Sequence, residues 1–440
     1  MARKIAGLAT LLLITAACGQ KPGVAEQPLP PQPVLLALPA GATVDPETGQ
    51  VIDAQGNVIG DADDFGDLAV GSDGGAVTTD TEGSQAGSKP GGSAPTTVSG
   101  PPAGGDSTGV DDDVIRIGAH APLTGAAPVP SDSAQKGVQL YWRWLQEMGG
   151  EINGRRVETI LRNDQYNPST AVSVCKEMVE KDKVFMLYGF AGTDQIQACA
   201  RYAASVGVPY VSVGVTEVGL TTYTDYFAIS LSYVEQAPLL ADLLTSSLGA
   251  GDEKNGMLRF DTPMFQDAHD AFVDAMKDRG TPLAYDRGVS KGAGASEART
   301  VVQEMKNAGI ENVYVLTSPV WFLQVLQEAR TQQFTPQWVG VGLTKALDTV
   351  SAVGCRNGTL SRAKFFSPFP AWADINRFDP DFKKAVRRIY PEKGEGDDIM
   401  LIPWGMSKIL GGMLEAPGRN LTRERFVYFA QQLRNLKTGV

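Results

Sequence analysis

The sequence predicts an α/β protein made of two tandem Rossmann-like lobes with parallel sheets, preceded by a disordered tether. Two observations support this fold class. From residue 113 onward, short apolar segments alternate with longer amphipathic ones, which is the pattern of parallel strands joined by crossover helices. Before residue 113 the chain is rich in Pro, Gly, Ser, Thr and Asp, a composition that buries too little apolar surface to fold.

The N-terminus predicts export. Two basic residues precede an apolar run over 5–14, and small residues lead from that run to Cys18. Because a bilayer span takes about 20 apolar residues, segment 1–18 is predicted to be a signal peptide. Its small-small-Cys ending resembles the bacterial lipobox, which implies a lipid on Cys18 that holds the secreted protein on the outer face of the cell membrane. Cleavage by an ordinary signal peptidase is the alternative, since Thr15 stands where lipoboxes more often have Leu.

Residues 19–112 are predicted to form a disordered linker. The stretch 70–109 has almost no large apolar side chain and a single basic residue, Lys89. One part, 44–59, has turn residues between β-branched pairs and predicts a small hairpin. A flexible chain of this length spans on the order of 50–60 Å, which suits a domain held above a membrane.

The remaining residues, 113–440, are numerous enough for two domains. Strands of the first lobe are predicted at 114–118, 157–161, 184–188 and 209–213, with helices at 133–148, 168–180 and 194–206. After 227–229 the rhythm restarts, with helices at 234–248, 265–278, 296–308 and 320–331 and strands at 256–260, 283–285, 312–316 and 337–341. Parallel sheets bind ligands at the carboxyl ends of their strands. The predicted site is therefore formed by loops 118–130, 189–194, 213–219, 260–265 and 316–321.

Composition limits the partners and the chemistry. The chain carries 39 basic and 50 acidic residues and a net charge of −11, with no run of Lys or Arg, so no nucleic-acid partner is expected. It has no phosphate-binding loop and no His/Cys motif with metal-ligand spacing, so no cofactor and no metal are predicted. Cys175 and Cys199, on successive predicted helices, form either a disulfide or two buried thiols. With a lipid on Cys18, Cys355 is then left as an odd thiol.

One motif raises an enzymatic alternative. Residues 288–292 match the G-x-S-x-G pattern of hydrolases, with Ser290 in the position of the nucleophile. The two histidines, His120 and His269, both precede Ser290, whereas that fold places its histidine after the nucleophile. The glycines around Ser290 favour a loop, and the chain is predicted not to be an enzyme.

Four motifs resemble those of the branched-chain amino acid (Leu/Ile/Val) solute-binding proteins of ABC importers. They are IGAHAPLTG at 117–125, AQKG at 134–137, ND at 163–164 with NP at 167–168, and GVPY at 207–210. The resemblance extends with co-linear spacing over 113–440. It implies the type 1 periplasmic-binding-protein (Venus-flytrap) fold, in which two lobes close on a small molecule and deliver it to ABC permease subunits. A monomer is expected.

The resemblance also implies the domain boundaries. Lobe 1 would comprise 113–231 and 368–440, and lobe 2 would comprise 232–367. The chain would cross between the lobes near 230–233 and 367–369. A third crossing is expected after residue 436, so the returning C-terminal segment of lobe 2 is expected to be missing from this sequence.

Ligand contacts can be carried over from the family residue by residue. Gly192 and Thr193, at the start of a predicted helix, align with groups that hold the ligand carboxylate. Gly214 and Thr216, in the next strand-end loop, align with further groups of this kind. A helix start suits an anion because its first N–H groups are unpaired. The alternative for both threonines is helix capping or turn chemistry.

The other aligned positions limit the ligand. The aromatic flanks of the family site align with Pro130, Phe265 and Ser318. The acid that pairs with an α-ammonium aligns with Gly342, which carries no charge. An amino acid would therefore need Glu217 or Asp261 as its anion, because burying an unpaired ammonium costs on the order of several kcal/mol.

The aromatic residues near the predicted loops favour a small carboxylate with an apolar or aromatic body. They are Phe190, Phe265, Trp321 and Phe322. The alternative is that these aromatic residues belong to the core. Two other functions stay open: the ligand-sensing domain of an envelope signalling or regulatory system, and a degenerate copy that binds nothing. Adjacent permease and ATPase genes would favour import, and an adjacent kinase gene would favour sensing.

Overall fold

The structure, a computed structural model, describes residues 101–213, 219–220, 222–247, 254–341, 347–356, 358–367, 369–372, 374–433, 436 and 438, and the backbone of 43–44, 50–52 and 58–61. The last three segments form an antiparallel sheet of β1 (Thr43–Val44), β2 (Gln50–Ile52) and β3 (Val58–Asp61), in the order β1-β2-β3. The segment predicted as a two-stranded hairpin over 44–59 is thus part of a three-stranded sheet, because its turn residues form two separate groups, at 45–49 and 53–57.

The first lobe is built on five parallel strands. They are β4 (Val114–Ala121), β5 (Arg156–Asn163), β6 (Met186–Gly189), β7 (Tyr210–Ser212) and β8 (Tyr226–Ala228). Their order is β5-β4-β6-β7-β8. The helices of this part are α1 (Ser131–Glu147), α2 (Pro168–Glu180) and α3 (Thr193–Ser205). Strand β4 is almost wholly buried on both of its faces, as expected of a central parallel strand.

The second lobe repeats this topology. It begins with α4 (Tyr233–Asp242), which continues into a π-helical turn (Leu243–Ser247). Its other elements, in chain order, are β9 (Asn255–Phe260), α5 (Pro263–Asp278), β10 (Tyr285–Val289), α6 (Ala295–Ala308), β11 (Asn312–Leu316), α7 (Pro319–Thr331), β12 (Gln337–Val341), α8 (Leu347–Gly354) and β13 (Lys364–Phe366). The strand order is β10-β9-β11-β12-β13, all parallel. Two parallel-sheet lobes are thus confirmed.

The C-terminal residues pack with the first lobe. They form α9 (Ile375–Phe378), α10 (Pro380–Ile389), a 3₁₀ turn (Pro391–Lys393), α11 (Asp398–Glu415) and α12 (Arg423–Gln432). Helix α11 lies against α1 at Gly137, where an added Cβ would stand 2.7 Å from Pro403 Cγ. Only glycine allows so close an approach of the two helices. In the described part of the chain, no helix has both the length and the apolar character needed to cross a membrane.

The linker predicted over 19–112 extends too far along the chain, because residues 101–112 belong to the folded part of the protein. They dock on α12 and β4. Asp106 pairs with the guanidinium of Arg423, and its backbone N–H donates to Glu424 Oε2 at 2.9 Å. Arg423 in turn donates to the carbonyl oxygens of Val184 and Phe185, at 2.9 and 3.0 Å. Composition alone cannot reveal such docking, because the partners lie more than 300 residues away.

The cysteines are paired. Cys175 on α2 and Cys199 on α3 are both fully buried and form a disulfide, with their Cα atoms 6.0 Å apart. Cys355 is also disulfide-bonded, and the described residues include no free cysteine. The prediction that Cys355 is an odd thiol is therefore wrong. Cys18 itself lies outside the described residues.

Candidate functional site

The strand orders place the candidate site at two facing edges. In lobe 1 the order reverses between β4 and β6, and in lobe 2 it reverses between β9 and β11. Open parallel sheets bind ligands in the crevice beyond the carboxyl ends of such neighbouring strands. The loops that follow these four strands therefore frame the site.

Asn163, at the end of β5, shapes the loop after β4. Its side-chain oxygen accepts from the backbone N–H groups of Leu123, Thr124 and Gln165, at 3.0, 3.3 and 2.9 Å. Its amide nitrogen donates to the Thr124 hydroxyl at 2.8 Å. Asparagine suits this position because one short side chain serves both as acceptor and donor.

A buried polar network lies beneath the same edge. His120 Nδ1 is 2.8 Å from Asp164 Oδ2, and His120 Nε2 is 2.6 Å from the Tyr210 hydroxyl. All three side chains are at most 1% exposed. The other oxygen of Asp164 accepts from the backbone N–H of Tyr166 at 2.9 Å. Asp164 therefore ties the core of lobe 1 to the cleft residue Tyr166.

Tyr166 has an unusual backbone for a bulky residue. Its φ is 56°, and that of Gln165 is 57°. Left-handed conformations in non-glycine residues cost on the order of 1–3 kcal/mol and concentrate at functional sites. Burial raises the pKa of the Tyr166 hydroxyl to about 12, and the nearby carboxylates of Asp194 and Asp164 add to the shift. The hydroxyl therefore stays protonated at neutral pH.

Helix α3 begins at this edge without a side-chain cap. Its N-cap is Gly192, with φ 83°, so no hydroxyl or carboxylate covers the first N–H groups. Thr193 follows and is 7% exposed. Because it lies inside the helix, the capping alternative for its hydroxyl is wrong.

The buried side chain of Gln195, in the first turn of α3, is unpaired. Neither its amide nitrogen nor its carbonyl oxygen has a hydrogen-bond partner among the described residues. A Cβ added to Gly192 would stand 2.5 Å from this carbonyl oxygen, so the amide group lies over the helix start. An unpaired buried amide costs about 1–3 kcal/mol, which a polar ligand would recover.

The facing edge of lobe 2 combines aromatic rings with another uncapped helix. The N-cap of α5 is Thr262, which makes no capping bond, and its buried hydroxyl has no hydrogen-bond partner in the described structure. Phe265 meets Tyr233 edge-on, with ring centroids 5.5 Å apart. Burial raises the pKa of the Tyr233 hydroxyl, and the neighbouring Tyr314 and Tyr166 add to the shift.

Lys291 connects the two lobes. It follows β10 in lobe 2, and its Nζ is ion-paired with Asp194 of α3 in lobe 1. The same Nζ lies 5.1 Å from the centre of the Tyr166 ring. The cleft is therefore bridged by one cation from lobe 2 that is held by a carboxylate and an aromatic face of lobe 1.

The residues predicted for the site differ in where the structure places them. Gly192 and Thr193 lie together at the start of α3. Pro130, at the start of α1, is exposed, whereas Phe190 and Phe265 are 4% and 6% exposed. Gly214 and Thr216 lie outside the described residues, as do Glu217 and Gly342.

Several residues considered for the ligand have structural roles instead. The Ser318 hydroxyl caps α7 by accepting from the Trp321 N–H at 3.3 Å. Trp321 and Phe322 are core residues, at 2% and 0% exposure, so the core alternative holds for them. Asp261 is 70% exposed and paired with Arg259, which makes it a poor anion for a buried ammonium.

Four residues at this edge were not predicted from the sequence: Tyr166, Asp194, Gln195 and Lys291. The first three adjoin quoted motifs, and a polar residue next to a family contact was a usable signal. Lys291 lies in the loop whose G-x-S-x-G pattern raised the hydrolase alternative. There Ser290 accepts from the Gly292 N–H at 3.2 Å, which is ordinary turn chemistry.

One group of ligand-type atoms lies nearby. His120, Cys175 and Cys199 present atoms within 4.8 Å of one another, all buried. The two sulfur atoms are bonded to each other, and thiolates rather than disulfides bind metals. This group therefore does not constitute a metal site in the disulfide form.

Comparison with known proteins agrees with the fold. A family model described as periplasmic binding protein matches residues 114–439. Leu/Ile/Val-binding protein homolog 6 of Brucella abortus (strain 2308) is 22% identical over 203 residues, which are 46% of this chain and 50% of that protein. This chain spans about half the length of the curated relatives it matches.

Solved structures show the same architecture. A fatty acid ABC transporter substrate-binding protein from Thermomonospora curvata has a TM-score of 0.61 and 18% identity, over 76% of this chain and 85% of that one. A solute-binding protein of an ABC transporter from Rhodopseudomonas palustris BisB5, in complex with 3,4-dihydroxy benzoic acid, has a TM-score of 0.59 and 16% identity, over 71% and 84%.

The family match covers both lobes and most of the chain, and it agrees with the resemblance to Leu/Ile/Val solute-binding proteins. The chain therefore belongs to the periplasmic binding proteins.

Proposed function

We propose that this protein is the extracytoplasmic solute-binding component of an ABC importer, and that it captures a small carboxylate with an apolar or aromatic body between its lobes. The carboxylate would lie at the start of α3. The apolar body would lie towards the aromatic residues of the facing edge, Tyr233 and Phe265.

The start of α3 is the observation that carries the proposal. Its first N–H groups lack a side-chain cap, and free N–H groups at a helix start favour an anion. The amide nitrogen of Gln195, in the first turn of α3, is a buried donor without a partner among the described residues, and the Thr193 hydroxyl is a further polar group in this turn. Donors without partners are expected where a carboxylate completes the site.

The comparisons support the same ligand chemistry. One solved neighbour is named for fatty acids, and the other is in complex with 3,4-dihydroxy benzoic acid. Both compounds are carboxylates with apolar or aromatic bodies. The Brucella relative is named for leucine, isoleucine and valine, which also carry a carboxylate. A carboxylate is thus the group common to all of them.

The first prediction concerns Thr193 and Thr216. A thermal-shift screen over amino acids, fatty acids, aromatic acids and short amides would first identify a ligand. We expect Thr193→Ala together with Thr216→Ala to weaken its binding at least about a hundredfold, or about 2.7 kcal/mol, without unfolding the protein. Titration calorimetry measures the affinity. Thr300→Ala, on the exposed face of α6, is the matched control. Unchanged affinity in the double variant would show that the proposed site is wrong.

The second prediction concerns the anchor. We propose that Cys18 carries the lipid that holds the protein at the membrane. Cys18→Ser should then release the protein into the soluble fraction and abolish metabolic labelling with palmitate. Cys175→Ser is the control, because it removes a cysteine that is bonded to Cys199 and leaves the lipobox intact. Continued membrane association of Cys18→Ser would rule out this anchor.

A further inference from the structure

Lys291 makes, from within the chain, the two contacts that the ammonium group of an amino acid would need. Its Nζ is ion-paired with Asp194 and lies 5.1 Å from the centre of the Tyr166 ring. A carboxylate and an aromatic face are common protein partners of an ammonium ion. Both partners belong to lobe 1, whereas Lys291 belongs to lobe 2, so these contacts are made across the cleft.

The ion pair adjoins the proposed carboxylate site. Asp194 follows Thr193 directly in the first turn of α3. The side chains of Asp194 and Lys291 are only 23% and 24% exposed, so solvent screens the pair less than it screens a surface pair. The other described acid considered for an ammonium, Asp261, is exposed and already paired with Arg259.

Lys291 also removes an obstacle to anion binding. An unpaired Asp194 carboxylate would repel a ligand carboxylate placed at the same helix start. Paired with Lys291, its charge is compensated, and the free N–H groups of α3 keep their preference for an anion.

We propose that Lys291 is a built-in ammonium that makes the site selective for carboxylates lacking an α-ammonium group. This inference rests on the proposed function and specifies its ligand class. A fatty or aryl carboxylate leaves the Asp194–Lys291 pair intact. An α-amino acid must displace Lys291 from Asp194 or place a second ammonium beside it.

Matched ligand pairs test the selectivity. Leucine and 4-methylpentanoate, and likewise phenylalanine and 3-phenylpropanoate, differ only in the α-ammonium group. By calorimetry on the full chain, we expect the ammonium-free member to bind at least about tenfold more tightly, which is about 1.4 kcal/mol. Lys291→Met should reverse the order, because it leaves Asp194 as an unpaired anion. Asp194→Asn with Lys291→Met should restore the preference for the ammonium-free acids.

A rescue experiment tests the ammonium position without any assumption about the ligand. Lys291→Ala removes the atoms that propylammonium would replace. Propylammonium chloride at about 100 mM should raise the melting temperature of Lys291→Ala above that in equal potassium chloride. It should not do so for the wild type or for Lys291→Ala combined with Asp194→Asn.

The outcomes separate this inference from the proposed function. Leucine binding the wild type at least as tightly as 4-methylpentanoate would overturn the selectivity but leave solute binding in place. An unchanged ligand order in Lys291→Met, or an equal propylammonium effect in all three proteins, would overturn the role of Lys291. Failure of the wild type to bind any compound of the wider screen would overturn the proposed function itself.

Discussion

Asp164 connects the interior of lobe 1 with the cleft, because each of its two carboxylate oxygens makes one hydrogen bond in a different direction. One of its carboxylate oxygens is 2.8 Å from His120 Nδ1, and the other accepts from the Tyr166 N–H at 2.9 Å. The second bond is made to a residue whose φ is 56°, a conformation that must be held by its surroundings. Through Tyr166 this buried group also fixes the aromatic face that Lys291 contacts. Asp164 is thus a positioning residue.

At this scale we predict that Asp164→Asn destabilises the protein by about 3 kcal/mol. The change replaces a carboxylate oxygen that contacts His120 in a fully buried network, and leaving a buried polar group without its partner costs about 1–3 kcal/mol. Urea denaturation measures the loss. Glu158→Gln, at a half-exposed carboxylate paired with Arg156, is the control and should cost less than about 1 kcal/mol. Equal losses in the two variants would contradict the role assigned to Asp164.

At the scale of elements, α12 holds together three parts of the chain. Arg423, 7% exposed at the first position of this helix, pairs with Asp106 of the docked segment and donates to two carbonyl oxygens at the start of β6. Arginine suits this role because its planar fork presents several donors in fixed directions. The exit point of the N-terminal linker is thereby attached at the amino ends of the strands, at the opposite edge from the cleft.

We predict that Arg423→Ala lowers the free energy of unfolding by about 2–4 kcal/mol. Two buried carbonyl oxygens would lose their donor, and each such loss costs about 1–3 kcal/mol. Hydrogen exchange should also show faster exchange in 101–112. Arg201→Ala, at an exposed position of α3, is the control and should change stability by less than about 0.5 kcal/mol. Unaltered exchange in 101–112 would show that this segment is held by other contacts.

At the scale of the whole molecule, Lys291 and Asp194 form a charged contact between the two lobes, and they are separated by 97 residues along the chain. An ion pair that is about three-quarters buried lies between the surface and interior cases, and exposed pairs contribute roughly 0.2–1 kcal/mol. Such an energy biases the distance between the lobes without locking it.

We predict that loss of this pair widens the ligand-free cleft. Spin labels at Thr124→Cys and Val320→Cys, both exposed at the rim, report the distance between the lobes by pulsed electron resonance. Asp194→Asn, or about 1 M salt, which shortens the Debye length to about 3 Å, should shift the distribution to longer distances. A label pair at Glu158→Cys and Arg201→Cys, both in lobe 1, should not respond. An unchanged rim distance in Asp194→Asn would contradict the bridging role.

The helices and strands could be predicted because each depends on the local spacing of apolar residues along the chain. The run 114–118 is apolar apart from Arg116, and the structure extends it into the buried strand β4. The helix predicted at 194–206 begins within one residue of α3. The docking of 101–112 could not be predicted, because it depends on Arg423 rather than on the composition of the segment itself.

The site was accessible to sequence reasoning only in part. Thr193 was placed by its position at the start of a helix, which a family motif also marks. Trp321 was considered for the ligand because it follows a strand-end loop, yet its ring packs 5.7 Å from that of Phe260 in the core. A position in a loop does not say which way a side chain points.

The sequence by itself determined the class of protein, because hydrophobic periodicity and strand-helix alternation are local properties that fold into the same topology wherever they recur. Only the tertiary structure decided which charges face each other across the cleft. Nothing in the sequence indicates that Lys291 and Asp194 are paired. They meet because the carboxyl ends of two separate sheets face the same cleft. The selectivity proposed for this protein depends on that pairing, since an ion pair is a property of distance and burial rather than of composition.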